Sequence, residues 1–147
     1  MFINEITRIA WLEKGRAFCG HDTDHLLDVA RIAHAMSLEE NTQADKEHIY
    51  AAALLHDIGR AKQYDDGTPH EAESARIAAR VLPDCGFDDI ETDVIVDAIL
   101  EHRTGSRSER AGVAKFLFRA DKLSRRCFDC AARDECDWEM KNQMLEY

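Results

Sequence analysis

The sequence lacks any apolar run approaching the roughly 20 residues that span a bilayer, so no membrane-spanning helix is expected. Its N-terminus lacks the basic-then-apolar layout of a secretory leader, and a cytoplasmic protein is the expectation. No stretch alternates apolar and polar residues long enough to suggest a half-buried strand. Internal repeats and low-complexity segments are absent, and proline is confined to Pro69 and Pro83. Positive charge is short as well. Nineteen Lys and Arg against 29 Asp and Glu leave a net charge of -10, spread along the whole chain. That balance argues against a surface that binds nucleic acid by neutralising its phosphates. A phosphorylated ligand must therefore meet local positive charge, either metal ions in an acidic pocket or clustered cations such as Arg60, Lys62 and Lys122.

What remains is a helical pattern. Glycine-marked breaks divide the chain into stretches with apolar residues every three or four positions. The expected fold is all-α, about six helices in a single domain spanning residues 1–147. The first helix turns Phe2, Ile6 and Ile9 inward and ends near Gly15 or Gly20. The second runs from Asp22 or Thr23 to about Glu40, with His25, Val29, Ile32 and Met36 on one stripe. The third starts near Asp45, carries Ile49, Ala52, Ala53 and His56 on one face, and stops at Gly59. A fourth opens with Thr68 as N-cap, Pro69 in the first helical position and Glu71 as capping-box partner, and ends before Pro83. The fifth aligns Ile95, Ala98, Ile99 and His102; the sixth aligns Val113, Phe116, Leu117, Ala120 and Asp121. A short amphipathic piece around Trp138 to Leu145 closes the chain.

Polar residues keep ending apolar stripes in this pattern. Burying an imidazole or a carboxylate costs several kcal/mol without a partner. One such residue is usually a hydrogen-bonded core residue. His25, His56, Asp57, His102 and Asp121 come from four expected helices, however, and His70 opens another, so convergence on shared metal accounts for all of them together.

The ordered set of His25, the pair in Leu54, Leu55, His56, Asp57, Ile58, Gly59, and the distant Asp121 resembles the HD superfamily of metal-dependent phosphohydrolases. The resemblance covers about residues 22–125, with 126–147 as a cysteine-rich tail packing on that core. His21 and Asp22 form a second such pair, without an apolar stripe before it, which shows how little the dipeptide alone means. The resemblance implies His25, His56, Asp57 and Asp121 as metal ligands. His70 and His102 are similar to the two extra histidines of the two-metal branch; with one metal they would instead contact substrate or water. The implied cofactor is one or two divalent transition metals, with iron or manganese favoured and cobalt or zinc compatible with mixed nitrogen and oxygen ligation. The implied activity is hydrolysis of a phosphate ester or anhydride, with a nucleotide or dinucleotide as substrate class. Asp57 would bridge two metals, Asp121 would complete the coordination, and Arg60 and Lys122 would assist catalysis. His21, Arg60, Lys62, Arg103 and Lys122 are the candidate substrate contacts. Arg60 stands where family members commonly carry Lys, which keeps the charge and changes the donor geometry. A di-iron oxygenase and a non-catalytic metal- or redox-sensing binding protein are the alternatives. His34 and His48 fall off the ligand pattern and are read as structural or exposed.

Five cysteines remain, and three of them crowd together as Cys127, Cys130 and Cys136. In a reducing compartment such spacing suggests metal ligation more than disulfides. A structural zinc is expected, with Cys19 as fourth ligand if the tail folds back; an iron–sulfur site and plain reduced cysteines stay open. Cys85 stands alone. Oligomeric state is not fixed by any feature of the chain.

Overall fold

Among the described residues seven α-helices carry the architecture: α1 (Phe2–Leu12), α2 (Thr23–Glu39), α3 (Lys46–Leu55), α4 (Arg60–Asp66), α5 (His70–Val81), α6 (Asp89–Glu101) and α7 (Val113–Leu123). The structure, a computed structural model, describes residues 1–42, 44–103 and 112–139, and no strand occurs among them. The last part of the expected Trp138–Leu145 piece thus lies outside the described residues.

The expected stripes form the core. α3 is its hub, touching α2, α5, α6 and α7. Ile49, Ala52 and Ala53 of α3 meet Val29 and Met36 of α2, Ile95 and Ile99 of α6, and Phe116 and Leu117 of α7. Small residues let the helices approach closely, and the larger ones fill the space between them. A smaller cluster of Ile6, Ile9, Leu26 and Ala61 seats α1 against α4.

Local signals set where these helices begin. The Asp22 side chain accepts from the backbone N–H of His25 at 2.9 Å and so starts α2. Asp45 does the same for α3 through Glu47 at 2.7 Å. The capping box belongs to α6, not α5: Asp88 accepts from the Glu91 N–H at 2.9 Å, and Glu91 accepts from the Asp88 N–H at 2.8 Å. Thr68, expected to cap α5, instead bonds Asp66 through its hydroxyl at 2.6 Å, and Pro69 occupies the N-cap position without a side-chain bond.

The stretch expected as one helix to Gly59 ends its regular turns at Leu55, and α4 follows as a separate helix. Gly59 also serves a different purpose from a left-handed stop, since its φ is -79°. A Cβ there would lie 2.4 Å from the His70 carbonyl oxygen and 2.6 Å from the Ser74 nitrogen. Glycine is required because α5 presses directly on this turn. The Gly59 N–H donates to the buried Ser74 hydroxyl at 2.9 Å, fixing the contact.

Candidate metal centre

The centre forms where helices stop. His56 caps α3, Asp57 follows it in the turn before α4, His70 opens α5, His102 caps α6, and Asp121 lies in the last turn of α7. His25 sits in the first turn of α2. All six are buried, and so is His21. Their donor atoms fall into two groups, within each of which the atoms lie inside 4.8 Å of one another: His25, His56, Asp57 and Asp121, and Asp57, His70 and His102.

Asp57 belongs to both groups, and its two oxygens divide between them. Oδ2 is 3.3 Å from His56 Nε2 and 3.8 Å from His25 Nε2. Oδ1 is 3.2 Å from His70 Nε2 and 3.9 Å from His102 Nε2. Asp121 Oδ1 completes the first group, 3.5 Å from His25 Nε2 and 3.8 Å from His56 Nε2.

The opposite edge of each ring fixes its orientation. His56 Nδ1 faces the Ala53 carbonyl at 2.7 Å, and His102 Nδ1 faces the Ile99 carbonyl at 2.6 Å. A carbonyl accepts only, so both Nδ1 atoms carry a proton. His25 Nδ1 meets the Ser124 hydroxyl at 3.2 Å, and His70 Nδ1 meets Gln63 Oε1 at 2.7 Å. Every Nε2 is thereby aimed inward. Such anchoring by the far nitrogen is how proteins orient imidazoles for a metal.

The residues fit such an ion. Buried polar atoms are rarely left unmatched, yet His25 Nε2, His56 Nε2 and both Asp57 oxygens are buried without a hydrogen bond. Electrostatics agree. Burial would lower the His56 pKa, but Asp57 and Asp121 outweigh it and push it up to about 10. Burial would raise the Asp57 carboxyl, yet His56, His70 and Arg60 hold it well below the usual carboxylate range. Asp121 is likewise depressed against the effect of burial, by His25, His56 and Arg125. His102, by contrast, is lowered to about 4 by burial and by the His56 charge. The cluster thus sets two carboxylates against a protonated His56.

A recess of about 430 Å³ opens beside Asp121, with His21, Arg60, Lys122 and Arg125 on its wall. Arg16, Phe18 and Trp138 also reach it. Arg60 Nε stands 2.9 Å from Asp57 Oδ1, close enough to pair yet out of line for a hydrogen bond. Lys122 Nζ bonds Asp121 Oδ2 at 2.5 Å, and Arg125 bonds Asp121 Oδ1 at 3.0 Å. His21 joins them: its Nδ1 meets Glu13 Oε1 at 2.5 Å and its Nε2 lies 3.8 Å from Asp57 Oδ2.

Two candidate contacts fall elsewhere. Lys62 pairs with Asp66 at 2.6 Å and lines a separate recess beside Met1 and Arg80. It points outward from α4 while Arg60, two positions earlier, points in. Arg103 pairs with Glu71 at 3.3 Å and approaches the centre only through that carboxylate, which lies 3.5 Å from His70 Nδ1. His34 packs edge-on to Tyr50, and His48 faces Glu91, both away from the centre. Glu13, Gln63, Ser124 and Arg125 were not foreseen. Ser124 and Arg125 lie three and four residues past Asp121, so helical spacing was a usable signal for them. Glu13 and Gln63 carry no such signal.

An all-helical core with two donor groups joined at one aspartate defines a class of metal-binding domain. Residues 23–126 match the HD domain family, and the chain belongs to it. An uncharacterized protein of Clostridium beijerinckii is 44% identical over 99% of this chain and 92% of its own length. Ribonuclease Y of Nitratiruptor is 32% identical over 82% of this chain, which spans only 21% of that protein. The crystal structure of a predicted HD superfamily hydrolase from an uncultured Thermotogales bacterium matches with a TM-score of 0.64 and 29% identity, covering 82% of this chain and 66% of that one. These likenesses support metal-dependent phosphohydrolase chemistry in general. No described helix is long and apolar enough to cross a membrane.

Proposed function

We propose that the protein is a phosphohydrolase that cleaves a phosphate ester or anhydride of a nucleotide at a two-metal centre. The observation that carries the reading is the division of the Asp57 oxygens between two donor groups beside a recess walled by cations. His25, His56, Asp57 and Asp121 would hold one ion, and Asp57, His70 and His102 a second. Bound divalent ions supply hydroxide at neutral pH by lowering the pKa of water, and they offset charge on phosphoryl oxygens. Iron or manganese suits the mixed donors.

The protein's own side chains bind and orient the substrate. Arg60, Lys122 and Arg125 present guanidinium and ammonium donors to phosphate oxygens, Arg60 and Arg125 with the forked geometry that suits them. In doing so they exchange part of their pairing with Asp57 and Asp121 for the incoming anion. Phe18, 44% exposed, and the half-buried Trp138 offer apolar faces at the same recess, and a nucleobase stacks well on such rings. The Nδ1 of His21 must donate to Glu13, because that carboxylate is held down to about 2: burial opposes this, and the bonds from His21 and Tyr64 overcome it. Burial in turn lowers His21 to about 4. At neutral pH its Nε2 is therefore an acceptor facing the centre, placed to orient water. Nucleotide chemistry is also named in two partial relatives, the ribonuclease and a uridylyl-removing enzyme of Bradyrhizobium that is 33% identical over 46% of this chain.

The test pairs metal analysis with phosphate release. Protein loaded with iron or manganese is assayed on nucleoside monophosphates, nucleoside polyphosphates and dinucleotides. Asp57→Ala is expected to lose metal and activity together. Lys122→Ala and Arg125→Ala are expected to keep the metal and lose about 10²–10³-fold in kcat/KM. A fully loaded protein that releases phosphate from no nucleotide, or an Asp57→Ala variant with unchanged metal, would sink the proposal.

A further inference from the structure

The phosphohydrolase reading leaves one conspicuous group unused. Cys19 lies between α1 and α2; Cys127, Cys130 and Cys136 follow α7, more than 100 positions later in the chain. The fold brings the two stretches together. Cys19, Cys127 and Cys130 line one recess of about 200 Å³ next to His25, and Cys19 and Cys136 line the cationic recess adjoining it. All four are half-buried, and none is disulfide-bonded.

The backbone around them is built for close approach of thiols. Cys127 opens a single 3-10 turn, and Cys130 leaves it extended at φ -95° and ψ 121°. Two further turns follow, closed by the Arg133 N–H to the Cys130 carbonyl at 3.1 Å and the Cys136 N–H to the Arg133 carbonyl at 3.3 Å. Arg125 ties this segment to the loop before α2, donating to the Gly20 carbonyl at 3.1 Å, next to Cys19. Burial and the neighbouring Cys19, Cys130 and Cys136 all raise the Cys127 thiol above its ordinary range. Arg125 and Arg126, on the wall of the same recess, would offset the net negative charge of four thiolates around a divalent ion.

We propose that Cys19, Cys127, Cys130 and Cys136 bind one structural zinc ion, separate from the histidine–aspartate centre, which fastens the segment after α7 to the loop before α2. Zinc takes four thiolates in tetrahedral array, and their protons leave to solvent. Among the described residues the donor groups already gathered within 4.8 Å are those of the histidines and aspartates, and the four sulfurs share two adjoining recesses instead. The fastening matters to the neighbouring recess, because the same segment brings Cys136 and Trp138 to its wall.

Element analysis of the full chain, purified without a chelating tag, tests this with Cys19→Ser, Cys130→Ser, Cys85→Ser and Asp57→Ala variants. About one zinc per chain is expected in wild type, Cys85→Ser and Asp57→Ala, and its loss in Cys19→Ser and Cys130→Ser. A second measurement needs no cysteine variant to fold. Cobalt(II) added to metal-stripped wild type and Asp57→Ala is expected to give thiolate-to-cobalt charge-transfer absorption and intense tetrahedral d–d bands in both. Unchanged zinc in both cysteine variants, weak octahedral cobalt spectra, or iron with acid-labile sulfide in place of zinc each overturns the proposal. Failure of the Asp57 centre to hold metal leaves these readouts unaffected, so the two proposals stand or fall separately.

Discussion

Glu13 shows how much a single side chain outside the donor set contributes. It receives the His21 ring, the His21 backbone N–H at 2.8 Å and the Tyr64 hydroxyl at 2.6 Å. Its folded pKa of about 2 lies below the ordinary 4.5. The stability it confers is therefore fully present above pH 4.5 and lost as pH falls through about 2. Solvent near the carboxylate reduces the effect to roughly 1–2 kcal/mol. Glu13→Gln should unfold at lower urea than wild type at pH 7, and the gap should shrink at pH 3. A gap that stays constant with pH would mean Glu13 acts through packing. The same variant frees the His21 ring, so kcat should fall while bound metal stays constant.

At the scale of elements, the turn between α3 and α4 is the least tolerant place in the fold. Gly59→Ala puts a methyl into the backbone of α5, and overpacking of that kind costs about 2–3 kcal/mol, lowering Tm by roughly 5–15 °C. Because the same turn carries Asp57, the variant should also weaken metal binding. A Tm within error of wild type would show that α5 can retreat from the turn. Helix starts give a second contrast: Asp88→Ala should cost about 1 kcal/mol in chemical denaturation, whereas Thr68→Ala should cost less than half as much.

The helices that were legible in the sequence are those with a buried stripe. His25, His56, His102 and Asp121 stand out because each extends an apolar stripe, and the structure gathers His25, His56 and Asp121 in one donor group and His102 in the other. α4 carries no such stripe over Arg60–Asp66, where only Ala61 is buried. It was absorbed into the connection for that reason. Thr68 and Glu71 have the spacing of a capping box, but Asp66 competes for the threonine hydroxyl and wins. Contacts such as Glu13 to His21 and Gln63 to His70 depend on how the loops fold, and no local pattern announces them.

For the molecule as a whole, metal binding at this centre would be linked to folding. Two buried carboxylates face His56 and, at the edge, Arg60, Lys122 and Arg125. Any ion that binds only the folded state adds stability by mass action, about 2.7 kcal/mol at a free concentration 100 times its Kd. Chelation should therefore lower Tm by several degrees, and manganese or iron should restore it in wild type but not in Asp57→Ala. An unchanged Tm would mean the centre binds no ion tightly under those conditions.

Two of the inward-facing rings and two others differ in what it would take to disarm them. His56 and His102 are held by carbonyls of their own helix ends, Ala53 and Ile99, so no side-chain replacement elsewhere removes the acceptor. His25 and His70 rest on Ser124 and Gln63 and lose their anchors to one codon change each. Mutational drift therefore reaches the centre unevenly: one ring in each donor group is protected by the main chain, and the other is open to gradual retuning.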